Sequence, residues 1–157
     1  MHDIITIGSS IVDSFITSKS FKITKTDEGV LLCQTYGEKI DVDEYILKTG
    51  GGGSNTAVGF SRMGFRTGVV SEKNEKTGGS IILLGADGGR TITVHRGAAV
   101  QLDPKDIPAG HISRSKWVHL SSISGRKDTL KFIFEVIRDS HTKLSWNPGN
   151  KELELLN

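Results

Sequence analysis

The sequence predicts an α/β protein, a core sheet flanked by helices with a separate β layer attached to it. Three observations carry this reading. Short apolar, β-rich runs such as Ile4-Ile5-Thr6-Ile7 alternate with stretches of helical periodicity. Segments 13–17, 29–36 and 39–47 instead alternate apolar and polar residues, the pattern of half-exposed antiparallel strands. A third β signal, residues 80–85 and 90–96, flanks Ala86-Asp87-Gly88-Gly89, a strong hairpin turn.

Taken in order, residues 3–7 read as a buried first strand ended by Gly8, and the alternating segments follow up to residue 47. Four glycines, Gly50 to Gly53, interrupt the pattern; Ser54 and Asn55 are good N-cap types for a helix running to about Met63, and Gly64 is placed to end it. Val69-Val70-Ser71 reads as another core strand. Asp103-Pro104-Lys105-Asp106 is a capped helical turn with proline at its tolerated first position. Trp117-Val118-His119-Leu120 and Lys143-Leu144-Ser145-Trp146 are strand-like. Between them, Leu130, Ile133, Phe134 and Ile137 recur at helical spacing within 127–141. Asn147-Pro148-Gly149 breaks the last strand, and 151–157 begins a further helix.

The 157 residues suit one domain, with no internal repeat, low-complexity tract or linker. A net charge of +2 argues against a dedicated nucleic-acid binder. The longest apolar runs, such as Ile81-Ile82-Leu83-Leu84, are far shorter than a membrane span, and the first residues read as no secretory signal. The single cysteine, Cys33, cannot form an internal disulfide, and His95, His111, His119 and His141 show no metal-ligand spacing, so no metal site is expected. A cytoplasmic location is the expectation. Trp117 and Trp146 are expected in the core, and Arg90 and Arg96 on the hairpin.

The compositional oddity is glycine, 19 residues where an average chain of this length has about 11. Gly50-Gly51-Gly52-Gly53-Ser54-Asn55 opens a helix, where free N–H groups and the dipole attract anions or polar oxygens. It is not a P-loop, because no GK[ST] follows four spacer residues. It is not a dinucleotide fingerprint either, because Asn55 or Thr56 stands where the last glycine of GxGxxG belongs. A glycine-rich connection without a ligand is the competing interpretation.

The segment from Gly50 through Asn55-Thr56-Ala57 to Met63-Gly64 closely resembles the N-terminal signature of the ribokinase-like (PfkB) carbohydrate kinases. Four further elements fall in that family's order: Ile7-Gly8-Ser9-Ser10-Ile11-Val12-Asp13; Thr77-Gly78-Gly79-Ser80 with Asp87-Gly88-Gly89-Arg90-Thr91-Ile92; Trp117 to Ser121; and Trp146-Asn147-Pro148-Gly149. The resemblance covers nearly the whole chain. It implies residues 1–157 as a single, incomplete ribokinase-like (Rossmann-like) sheet, with a small β-sheet lid from about 13–47 and 80–96. It further implies ATP- and magnesium-dependent phosphorylation of a hydroxyl on a sugar, nucleoside or related small molecule. Asp13 matches the substrate-binding carboxylate, which accepts hydrogen bonds from hydroxyls; Gly50, Gly51 and Asn55 match substrate-contacting positions of the signature. A strand-end cap for Asp13 and simple N-capping for Asn55 are the structural alternatives. Gly52 departs from the ribokinase version, where lysine is usual.

Two departures matter. Glu72 to Lys76 leads almost directly from Ser71 to Thr77, where the family has a further strand and helix, so a gap in the sheet is expected. The family's second half, with the ATP site and the G-A-G-D motif that supplies the catalytic base, has no counterpart here. Gly85-Ala86-Asp87-Gly88 has the letters in the wrong order, and Asp128-Thr129 lacks the following glycines. The expectation is therefore a truncated kinase, inactive alone, with no catalytic base and no ATP- or magnesium-binding elements. The alternative is a non-catalytic substrate-binding or dimerising module, with the lid as a homodimer surface.

Overall fold

The computed structural model describes residues 1–70 and 76–155. Its centre is a four-stranded parallel sheet of β1 (Ile4–Ile7), β6 (Thr67–Val70), β9 (Trp117–Leu120) and β10 (Lys143–Trp146), in the order β10-β9-β1-β6. The short apolar runs become buried strands because helices cover both faces of β1. On one face, Ile5, Ile7, Val118 and Leu120 pack with Leu130 and Ile133 of α3 (Lys127–Arg138) and with Ile112 of α2 (Ala109–Ile112). On the other, α1 (Gly52–Arg62) lies against β1 and β6. There the Thr6 hydroxyl, fully buried, donates to the Gly53 carbonyl at 2.9 Å and tethers the helix start to the strand. At the opposite end of the sheet, Asp3 accepts from Arg66 at 3.1 Å and Lys116 at 2.9 Å, joining the approaches to β1, β6 and β9. These two cations hold its carboxyl well below the usual carboxylate range.

The second sheet is mixed: β2 (Ile11–Thr17), β5 (Glu44–Gly50), β7 (Gly78–Leu84) and β8 (Arg90–His95), in the order β5-β2-β7-β8. β2–β5 and β7–β8 are antiparallel, as the alternation implies, but β2 runs parallel to β7. A separate hairpin pairs β3 (Lys22–Thr26) with β4 (Gly29–Cys33). The short helix α4 (Asn150–Leu153) follows β10.

Several boundaries differ from the sequence reading, each for a tertiary reason. β5 extends to Gly50, which pairs with Ile11, because the ladder with β2 outweighs the glycine break signal. α1 starts at Gly52, so Ser54 and Asn55 lie inside its first turn rather than capping it. α3 ends at Arg138, short of 141, where the Ser140 hydroxyl donates to the Ile137 carbonyl at 3.1 Å. Trp117 is 41% exposed, beneath the Lys143 ammonium, rather than in the core, whereas Trp146 is half-buried, edge-to-face with Phe134. The expected gap does not occur between the described strands, whose ladder is continuous with β6 at one edge; Ser71, expected to continue that strand, and the shortcut that motivated the gap, apart from Lys76, lie outside the described residues. Among the described residues no helix is long and apolar enough to cross a membrane.

Candidate substrate-binding site

Asp13 sits in β2 and projects from the same face as its two cross-strand partners, Lys48 of β5 and Ser80 of β7. The buried Ser80 hydroxyl donates to Asp13 Oδ1 at 2.5 Å. Oδ2 lies against Gly50, where an added Cβ would come within 2.0 Å of it. A side chain at Gly50 would therefore displace the carboxylate. Asp13 Oδ2 has no hydrogen-bond donor among the described residues, so a carboxylate oxygen is presented while its partner is pinned.

The glycine turn is built on the loop between β1 and β2. Gly51 has φ of 95°, and a Cβ there would lie 2.3 Å from the Ser9 carbonyl oxygen. That close crossing lets Ser9 take the first amides of α1: Gly52 N–H donates to Ser9 Oγ at 3.0 Å, and Gly53 and Ser54 N–H to the Ser9 carbonyl at 3.0 and 3.4 Å. The helix start is thus satisfied from within. The expectation that this turn exposes free N–H groups to a ligand is corrected at residues 52–54; the missing side chains of Gly51, Gly52 and Gly53 serve chain-on-chain packing. The Gly51 N–H makes no hydrogen bond among the described residues.

Asn55 is exposed on the first turns of α1. It lines an open depression of about 490 Å³ with Lys48, Thr49, Val58, Gly59 and Arg62. The structure brings Asp13, Gly50 and Gly51 together at one chain crossing. Asn55 is not brought into this group: it shares the depression with Lys48, the cross-strand partner of Asp13, and no hydrogen bond links Asn55 to Asp13. Between the sheets, a cavity of about 80 Å³ is lined by Gly8, Ser10, Thr77, Ala98, Ala99, Leu102 and Ile123.

Ser9 and Ser80, which hold the site's shape, were not singled out from sequence. Ser80 falls in the Thr77-Gly78-Gly79-Ser80 element, but its role depends on the β2–β7 register. Nor was Glu152, which is fully buried beside β9's end. Its carboxylate accepts from Ile123 N–H (2.9 Å), Gly125 N–H (2.7 Å), Gly149 N–H (2.9 Å) and the Ser122 hydroxyl (2.8 Å). Burial alone would raise its carboxyl, but these donors outweigh it and hold the group below the ordinary value.

No family model matches the chain, and no curated protein matches it. Solved structures do. A ribokinase from Giardia lamblia is 17% identical with a TM-score of 0.70, over 96% of this chain and 56% of that one. A ribokinase from Arabidopsis thaliana, complexed with ribose and ATP, is 16% identical with a TM-score of 0.70, over 92% and 53%. An adenosine kinase from Sinorhizobium meliloti is 17% identical with a TM-score of 0.65, over 92% and 56%. The fold is ribokinase-like. The chain spans about half the length of these structures, and carries the parallel sheet and the mixed sheet of that fold.

Proposed function

We propose that this chain is the substrate-binding part of an ATP-dependent kinase acting on a hydroxyl of a sugar, nucleoside or related small molecule. The observation that carries the reading is the Asp13 carboxylate, held by Ser80 at one oxygen and seated against side-chain-free Gly50 at the other. A fixed carboxylate with an unpaired oxygen accepts substrate hydroxyls and discriminates a polyol from an apolar analogue. Asn55 would add a donor and an acceptor, and the Gly51 N–H a further donor. In this reading the mixed sheet is a lid over the site, and its exposed apolar face makes it a homodimer surface as well.

In this reading ATP and magnesium are held by groups other than the described residues. Those residues contain no group of three or more His, Cys, Asp or Glu side chains able to hold a metal ion, and the first amides of α1 are consumed by Ser9. No step through either group is derived. The residues of this chain bind and orient the acceptor hydroxyl, and phosphoryl transfer is assigned to groups other than these.

The test is a titration of the 157-residue protein with ribose and adenosine, paired with an ATP-consumption assay. Binding is expected without turnover. Asp13→Ala is expected to weaken binding about ten- to a hundred-fold, the value of a charge-assisted hydrogen bond of roughly 1.5–3 kcal/mol. Equal affinity for wild type and Asp13→Ala would reject the role of Asp13; substrate-dependent ATP consumption would reject the division between binding and transfer.

A further inference from the structure

We propose that the depression on the outer face of α1 is an anion subsite that takes a phosphate monoester on the substrate, so that the preferred ligand is a phosphorylated polyol. This rests on the reading of Asp13 and Asn55 as the hydroxyl-binding groups.

Asn55, Val58, Gly59 and Arg62 follow one another at helical spacing and share a face of α1, with Asn55 and Arg62 about 10 Å apart along the axis. Lys48 and Thr49 of β5 form the facing wall. The lining carries two cations, an amide and a hydroxyl, and no carboxylate. Neither Lys48 nor Arg62 is in an ion pair among the described residues. Lys48 is the telling case, because its cross-strand partner is Asp13, yet the carboxylate is taken by Ser80 and Gly50 while the ammonium lies toward Phe15, 5.9 Å from the ring centre. The geometry therefore keeps a cation and a carboxylate side by side but unpaired, one suited to an anion and the other to hydroxyls.

The floor of the depression is Gly59, where an added Cβ would meet nothing within 4 Å. A glycine inside a helix that no packing requires is destabilising, so the open space is the feature it provides. Two cations match the charge of a phosphate monoester, about −1.5 to −2 at neutral pH. Lys48, which lines the depression and is the cross-strand partner of Asp13, links the anion subsite to the hydroxyl-binding carboxylate.

The test compares D-ribose, D-ribose 5-phosphate, D-gluconate and inorganic phosphate by NMR titration of the 157-residue protein. The variants are Gly59→Glu, Arg62→Gln and Asp13→Ala. Ribose 5-phosphate is expected to bind at least ten-fold tighter than ribose, with the advantage reduced by 0.5 M salt and removed by Gly59→Glu. That variant fills the depression with a carboxylate while improving helix propensity, so its urea midpoint should not fall. Arg62→Gln should remove most of the advantage. Equal binding of ribose and ribose 5-phosphate, or no binding of either, overturns the subsite. Gluconate matching ribose 5-phosphate overturns the assignment to phosphate. Inorganic phosphate matching ribose 5-phosphate overturns its connection to the sugar site. If Asp13→Ala changes nothing while Gly59→Glu still removes the phosphate advantage, the hydroxyl-binding reading fails and the anion subsite stands.

Discussion

The parallel sheet and the mixed sheet have four strands each but treat apolar side chains in opposite ways. In β1 and β9, Ile5, Ile7, Val118 and Leu120 are at most 2% exposed, enclosed by α3 and α2. In the mixed sheet, Tyr45, Leu47, Ile81, Ile92 and Val94 are 47–58% exposed, although the same β-rich composition built it. Of the residues assigned to ligand binding, Asp13, Lys48 and Gly50 lie on this second sheet, where Ser80 holds Asp13 in place, while Asn55 and Arg62 lie on α1 beside it. Stability is concentrated in one sheet and recognition in the other, and the glycine crossing at Gly51 joins them.

The largest effect should come from the parallel side. Ile133 of α3 is fully buried in the core cluster. Ile133→Ala is expected to cost about 2–5 kcal/mol, since a cavity remains among rigid neighbours. Urea denaturation measures this directly. A loss below 1 kcal/mol would break the comparison, because it would mean that the parallel sheet is not where the stability resides.

A smaller, pH-dependent effect sharpens it. Glu152 ties the loop after β9 to the turn after β10 through four donors. Its carboxyl is lowered in the folded protein, so the stabilisation is fully present above the unfolded value and is lost as pH falls through the folded one. Glu152→Gln replaces one acceptor oxygen by a donor facing N–H or O–H groups, and should cost roughly 1–3 kcal/mol at pH 7. Because Asp3 is lowered as well, some acid sensitivity remains in the variant. The diagnostic is the difference: the gap between wild type and Glu152→Gln should shrink on acidification toward pH 3. A gap independent of pH would show that the carboxylate charge is not what the donors read.

Legibility in the sequence followed the same division. β9 and β10 were readable to the residue, because in each an apolar residue recurs at every second position, Val118 and Leu120, Leu144 and Trp146, and polar residues follow at once. α3 was readable from its one-sided periodicity. β3 was not, since all of Lys22–Thr26 is exposed and its residues answer to no burial pattern. At the site, Asp13 was reached through the family resemblance, and Gly50 and Gly51 through composition together with that resemblance. The reason for the glycines was not legible, because it lies in the Ser9 carbonyl and the Asp13 carboxylate, contacts made across a chain crossing. Ser80 was hidden for a related reason: pairing it with Asp13 requires knowing that β2 and β7 run parallel in register. The cap types Ser54 and Asn55 misled because Ser9 supplies the cap from another segment.

The smallest expected effect probes the mixed sheet itself. Leu47 of β5 is 57% exposed and aligns with Ser14 across the ladder, on the face opposite Asp13. Leu47→Thr keeps a residue that favours strands and removes a side chain that is mostly in water already. In a monomer this should change stability by no more than about 0.5 kcal/mol, the ordinary range for surface positions. The measurement is a urea midpoint at two protein concentrations, with sedimentation velocity on the same samples. A concentration-independent shift within that range leaves the mixed sheet as an open recognition layer. A loss above 1 kcal/mol that grows with concentration would show the Leu47 face buried between two copies, as the homodimer assignment of the lid requires. The second sheet would then owe its stability to a partner copy rather than to its own core, and the contrast between the two sheets would hold for the isolated chain alone.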